Sequence, residues 1–279
     1  MRILGAGLIA AAAVGAALMG PAGPASSAPA ADAPLAGVVI ALDPGHQLGN
    51  SNPKFADQLS QTKFNGYFTK GCNTTGTATN GGYPEATFNW RVSRYLESRL
   101  KELGATVHKT RSNNSYDAWG PCVWDRGRFG AQVDADLLLS IHADGADPSG
   151  YGFFVMLPTT ISGWTDDIAR PSARMGKRFV KAMADAGAPR STYISGQTMV
   201  TPEISTLNFS DVPTILVELG NMRNTSDAAR MTSREGQKEY ADWLLAGIRA
   251  ALRKEGTVPS GVPGSPGNEG RTLSRIRRN

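Results

Sequence analysis

Three short, nearly continuous apolar runs each deliver the chain to polar, chemistry-bearing residues, and this pattern limits the possible folds more than any other feature. Val38-Val39-Ile40-Ala41-Leu42 ends at Asp43-Pro44-Gly45-His46, Leu137-Leu138-Leu139-Ser140-Ile141 runs into His142-Ala143-Asp144-Gly145, and Thr214-Ile215-Leu216-Val217 leads to Glu218-Leu219-Gly220-Asn221. A half-exposed strand would alternate apolar and polar residues, so runs of this kind read as strands buried on both faces of a parallel sheet.

Such strands need helices to cover them, and the helical signals fall between them. Pro84 opens the clearest one, with Phe88, Val92, Tyr95, Leu96, Leu100 and Leu103 at spacings of three and four, and Gly104 closes it. A last amphipathic helix near residues 235–254 turns Tyr240, Trp243, Leu244, Ile248 and Leu252 inward. Weaker signals place strands at 105–109 and 152–157, a short helix at 126–133, and a helix at 167–187 with Pro171 in or near its first turn. The alternation predicts one α/β domain over residues 36–255, with a mostly parallel, twisted sheet and helices on both faces. Residues 47–82 are polar and rich in Gly, Asn and Thr, too long for a simple connection, and read as a functional loop.

Both ends depart from this pattern. Met1-Arg2, the apolar run Ile3 to Met19 and a Gly/Pro/Ala/Ser stretch have the layout of a secretory signal peptide over residues 1–30, with Ala28-Pro29-Ala30 as the cleavage site. The rival reading is an uncleaved anchor, but a run so rich in Ala and Gly makes a weak membrane span. Residues 256–279 read as a flexible basic tail, in which Arg271, Arg275, Arg277 and Arg278 outnumber Glu269. The formal charge of +5 is therefore concentrated at the ends. The near-neutral body has no broad footprint for nucleic acid. The reading is of an exported chain, in periplasm, wall or medium, with no stable membrane span after cleavage, and monomeric. The only two cysteines, Cys72 and Cys122, are expected to form a disulfide in such a compartment, with metal binding the weaker alternative because neither has a close cysteine neighbour.

The chemistry rests on where the polar residues fall. In an open α/β sheet, ligands bind at the carboxyl ends of the strands, and His46, His142 and Glu218 all follow strands. Glu85, in the first turn of the clearest helix, lies on the same edge if that helix leads back down the sheet. Two imidazoles and one carboxylate with an open fourth position form a common catalytic zinc set, and a second carboxylate can move protons. Each residue also has a structural reading. A lone histidine is more often structural than a ligand, and His108, inside a strand, is assigned to packing or surface. Glu85 alone would be a favourable charge at a helix N-terminus. Glu218 is harder to explain that way, because a carboxylate ending an apolar strand is desolvated unless something pairs with it. Asp43 is read as structural, bonding loop amides, and Asp144 as a candidate neighbour of the metal ligands.

In order, the segment Val39 to His46, the helix-opening Glu85, Ser140-Ile141-His142-Ala143-Asp144 and Val217-Glu218-Leu219-Gly220-Asn221 resemble the motifs of zinc-dependent N-acetylmuramoyl-L-alanine amidases. The resemblance spans Val38 to Arg253. It implies that His46, Glu85 and His142 hold Zn2+, that Glu218 is the catalytic acid/base, and that the substrate is peptidoglycan or a muropeptide fragment. Two positions depart from the family pattern: Gln47-Leu48-Gly49 stands where a Gly-Gly pair often follows the first histidine, and Asn221 stands where an aromatic is often found. No wall-binding repeat is apparent. The rival functions are an inactive wall-binding regulator and a zinc peptidase or deacetylase acting on peptidoglycan.

Overall fold

A computed structural model describes residues 33–253. The expected signal peptide and basic tail lie outside the described residues. The elements run β1 (Val39–Pro44), α1 (Ala56–Ser60), β2 (Thr62–Phe64), β3 (Thr69–Gly71), α2 (Glu85–Glu102), β4 (Thr106–Lys109), α3 (Val123–Gln132), β5 (Leu137–Asp144), β6 (Phe154–Pro158), α4 (Ala169–Asp185), β7 (Thr198–Thr201), α5 (Ser205–Asn208), β8 (Thr214–Asn221), α6 (Thr225–Thr232) and α7 (Arg234–Ala251).

Six strands form the main sheet in the order β4-β1-β5-β8-β6-β7. The four from β4 to β8 are mutually parallel, whereas β6 pairs antiparallel to β8 and parallel to β7. The mostly parallel sheet is thus as expected, while the reversed β6–β7 edge carried no signal in the sequence. Helices α2, α4 and α7 pack together over one face, and α3 and α5 cover the other. The alternation of side chains along each strand feeds both layers: Ile40, Leu42, Leu139, Ile141, Ile215 and Val217 enter the large core under α2, α4 and α7, while Ala41 and Leu138 face α3.

The α2 stripe behaves as its spacing requires. Phe88, Val92, Leu96 and Leu100 are fully buried, each worth about 1.5–3 kcal/mol on transfer from water. Pro84 caps rather than begins the helix, and Gly104, at φ +90°, provides the left-handed residue just past its end. The helix therefore starts with Glu85 at the upper rim of the sheet. Pro171 lies in the first turn of α4, where its missing N–H costs nothing.

The long loop after β1 is not featureless. It folds into short helical turns, α1 and the β2–β3 hairpin, and is fastened by the Cys72–Cys122 disulfide across a sequence separation of 50. Both cysteines are buried, packed with Trp124 and Phe209 in a small core of their own. No helix among the described residues is long and apolar enough to cross a membrane.

Candidate metal centre

His142 and Glu218 are register partners on the neighbouring strands β5 and β8. Glu218 has the same parity as Thr214 and Leu216, and His142 the same parity as Leu138 and Ser140, so both side chains stand on the α3 side of the sheet at its carboxyl end. His46 comes from the turn that leaves β1, and Glu85 reaches the same rim from the first turn of α2. His46, Glu85 and His142 each offer one ligand atom, and those atoms all lie within 4.8 Å of one another. His46 Nε2 is 3.2 Å from Glu85 Oε2, and His142 Nδ1 is 3.0 Å from Glu85 Oε1. The two rings meet edge to face, with centroids 4.9 Å apart. This donor set, two imidazoles and a carboxylate, is one that could hold a divalent metal ion.

The turn carrying His46 is under local strain, and its neighbours offset that cost. His46 adopts φ 59°, a left-handed conformation that costs a non-glycine residue of order 1–3 kcal/mol. Arg126 Nη2 donates to its carbonyl at 2.8 Å, and its Nδ1 lies 3.0 Å from the Thr74 carbonyl oxygen. The tautomer that donates from Nδ1 leaves the Nε2 lone pair pointing at the cluster. Gly45 is there because nothing larger fits: a Cβ would stand 2.2 Å from His142 Cε1. Gly76, at φ +77°, is restricted likewise, with a Cβ falling 2.6 Å from Glu85 Oε2.

Glu85 is held from several sides. It accepts from the Thr77 amide at 3.0 Å, the Asn89 side-chain amide at 3.1 Å and the Ala143 amide at 3.2 Å. Burial would raise its pKa, but His46 and His142 outweigh that and hold it well below the usual carboxylate range. For His46, burial works downward and the Glu85 charge upward; Glu85 wins, and the imidazole pKa is raised.

Glu218 sits in the opposite environment. Its Oε2 is buried without a hydrogen-bond partner, and burial, then the Glu85 and Asp144 charges, push its pKa well above the ordinary value. Two carboxylates on one rim are thus driven apart in acidity. Glu218 lines a cavity of ≈ 230 Å³ together with His46, His142, Lys70, Arg126 and Glu203.

The remaining expected residues divide as follows. His108 is exposed on β4 and is not part of the clustered donor set. Asp43 is structural, but its partners are not the loop amides expected. It accepts from Arg126 at 2.7 Å, Thr110 Oγ1 at 2.6 Å and Ser140 Oγ at 2.6 Å, because a fully buried carboxylate needs a charged partner more than amides. Asp144 accepts from the Gly145 amide and acts on Glu218 through its charge. Asn221, at the departure from the family pattern, is fully buried and donates to the carbonyls of Asp147 and Gly150, so it clamps a loop. Gln47, at the other departure, accepts from the Leu48 and Ser115 amides and donates to Asn113, tying the two loops together.

Sequence reasoning missed Arg126 and Arg111. Both are buried, and between them they donate to the carbonyls of Pro44, Gly45 and His46, bracing the whole turn. The one available signal was an arginine on the apolar side of a short helix; its acidic partner Asp43 is 83 residues away.

Comparison with known proteins gives a consistent answer. The family model described as N-acetylmuramoyl-L-alanine amidase matches residues 40–250. The chain belongs to the N-acetylmuramoyl-L-alanine amidase family. An N-acetylmuramoyl-L-alanine amidase of Mycobacterium tuberculosis is 34% identical over 222 residues, covering 79% of this chain and 89% of that protein. Among solved structures, the N-acetylmuramyl-L-alanine amidase Ami1 of Mycobacterium smegmatis is 35% identical with a TM-score of 0.71, covering 78% of this chain and 98% of its own. The apo form of Ami1 from Mycobacterium abscessus is similar at 35% identity and TM-score 0.71, with 78% and 100% coverage. The six-stranded α/β fold described above is that of this amidase family, and the match spans all four rim residues.

Proposed function

We propose that this chain hydrolyses the amide bond joining the lactyl group of N-acetylmuramic acid to L-alanine, in peptidoglycan or its fragments, with zinc held by His46, Glu85 and His142 and with Glu218 as acid/base. The observation that carries the reading is the Glu218 carboxylate, whose Oε2 is buried without a hydrogen-bond partner, beside a compact His-Glu-His donor set. Zinc is favoured by donor type, two imidazoles and one carboxylate whose ligand atoms lie within 4.8 Å of one another. When bound, the ion would supply Lewis-acid polarisation of the scissile carbonyl and acidify water to a pKa around 7.

The protein's own groups account for the rest. Glu218 takes the proton of the attacking water and delivers it to the amine nitrogen of L-alanine as the C–N bond breaks. Its raised pKa suits it to both steps, since a carboxyl near its ordinary value would give up a proton too readily to return it. The Thr74 carbonyl keeps the His46 ring oriented, and Arg126 keeps its backbone in place.

Signal-directed export to the wall compartment and a monomeric state complete the reading, supported by the N-terminal layout and by the disulfide. Digestion of muropeptides followed by mass spectrometry tests it, with free stem peptide as the expected product. Glu218→Ala should keep the metal and lose most turnover, whereas His142→Ala should lose both. Acetate or split peptides as products, or full activity in the Glu218 variant, would overturn it.

A further inference from the structure

A second concavity, of ≈ 540 Å³, lies between α2 and α7 and is lined by Arg91, Arg94, Tyr95, Ser98, Arg234 and Gln237. Arg91, Arg94 and Ser98 form one stripe of α2 by their spacing of three and four, and Arg234 is the first residue of α7. All three arginines are exposed, and none has an acidic partner among the described residues. Arg91 lies 5.7 Å from the centroid of the Tyr83 ring, a cation–π contact that provides no carboxylate partner.

Three acids of the same two helices are paired elsewhere: Glu97 is bound by Lys101 and Lys109, Asp242 by Arg99 and Glu239 by Arg230, while Glu102 accepts from Ser98 at the edge of the concavity. Glu85 is in the metal centre, and Glu235 does not line the concavity. Three guanidinium groups facing one space repel one another, and that cost becomes a gain when an anion occupies it. The body is otherwise near neutral, so the charge here is local.

We propose that Arg91, Arg94 and Arg234 bind a phosphodiester group of an anionic wall polymer, and so hold the enzyme against the material it cuts. Phosphoryl oxygens match the planar fork of guanidinium, and a polymer with a fixed charge at every repeat suits a space lined by three of them. The space exceeds one phosphoryl group and is open, which suits a chain passing through better than a small enclosed ligand. Arg91 and Arg94 lie six and nine residues along α2 from Glu85, roughly 9 and 14 Å of helix axis. A polymer strand held there leaves the metal centre free to reach a neighbouring stem peptide, and such tethering raises local substrate concentration.

The test is binding, read without turnover, so its outcome is separate from that of the amidase reading. The full chain is titrated with poly(glycerol phosphate), and in parallel with vesicles containing phosphatidylglycerol. Expected is binding to the polymer that weakens with added salt and is displaced by inorganic phosphate but not by acetate at equal ionic strength. The double variant R94Q/R234Q should bind at least about tenfold more weakly, with muropeptide turnover unchanged, because neither residue touches the metal centre. No polymer binding at low salt, equal binding by the double variant, displacement by acetate as readily as by phosphate, or binding to vesicles alone would each overturn the proposal.

Discussion

Removing the disulfide should destabilise the protein and loosen the metal centre together. The cross-link joins residues 50 apart, and in the chain-entropy model closing a loop of that size lowers the entropy of the unfolded chain enough to stabilise the fold by about 4 kcal/mol. For a domain of this size each kcal/mol moves the midpoint roughly 2–4 °C, so Cys72→Ala/Cys122→Ala should melt about 8–16 °C lower. Both sulfurs are buried, so the double variant is a cleaner perturbation than reductant, which reaches them only after opening. Thr74 is two residues beyond Cys72, and its carbonyl receives both His46 Nδ1 and the Asn50 side-chain amide. Loss of such an outer contact typically weakens metal binding about 10–100-fold. Calorimetric melts of the metal-free protein, with metal affinity measured by competition against a chelator, separate the two effects. A midpoint lowered by less than about 2 °C would refute the loop-entropy argument. Unchanged metal affinity would refute the coupling through Thr74.

Three further outcomes follow from the same geometry. Gly45→Ala puts a methyl group within 2.2 Å of His142 Cε1 and should abolish metal binding, measured by metal analysis, in protein that retains its far-ultraviolet circular dichroism. Arg126→Met leaves Asp43 buried and unpaired and should cost about 3–5 kcal/mol in denaturant unfolding. Burial works to raise the Asp43 pKa, but Arg126, Ser140 and Thr110 lower it below 3.8, so in the wild type the contribution of the ionised Asp43 to stability is fully present above pH 3.8 and is lost as pH falls through the lower folded value. Glu218→Gln should stabilise the metal-free protein at neutral pH. The Glu218 pKa is raised in the folded state, so its ionised form carries a penalty above the unfolded value of 4.5, and the gain should vanish below that pH.

Much of the molecule was determined by local pattern alone. Continuous apolar runs marked β1, β5 and β8, the spacing of Phe88, Val92, Leu96 and Leu100 marked α2, and the residues that followed these runs were the ones the fold brings to one rim. That works because a strand's end and a helix's first turn are topological positions, and the rule linking strand ends to ligand sites needs no side-chain detail. The cysteine pairing was legible for a similar reason, two partners being the only choice.

Tertiary structure alone decided the rest, wherever partners are distant and chemically unremarkable in sequence. The antiparallel pairing of β6 with β8 joins segments far apart in sequence. The Arg126–Asp43 pair, the Thr74 carbonyl behind His46 and the requirement for glycine at 45 and 76 are contacts between segments with no shared periodicity. So is the arginine concavity between α2 and α7, whose residues look like ordinary solvated charges until two helices bring them face to face. Periodicity reports which side of an element is buried; only packing reports what it is buried against.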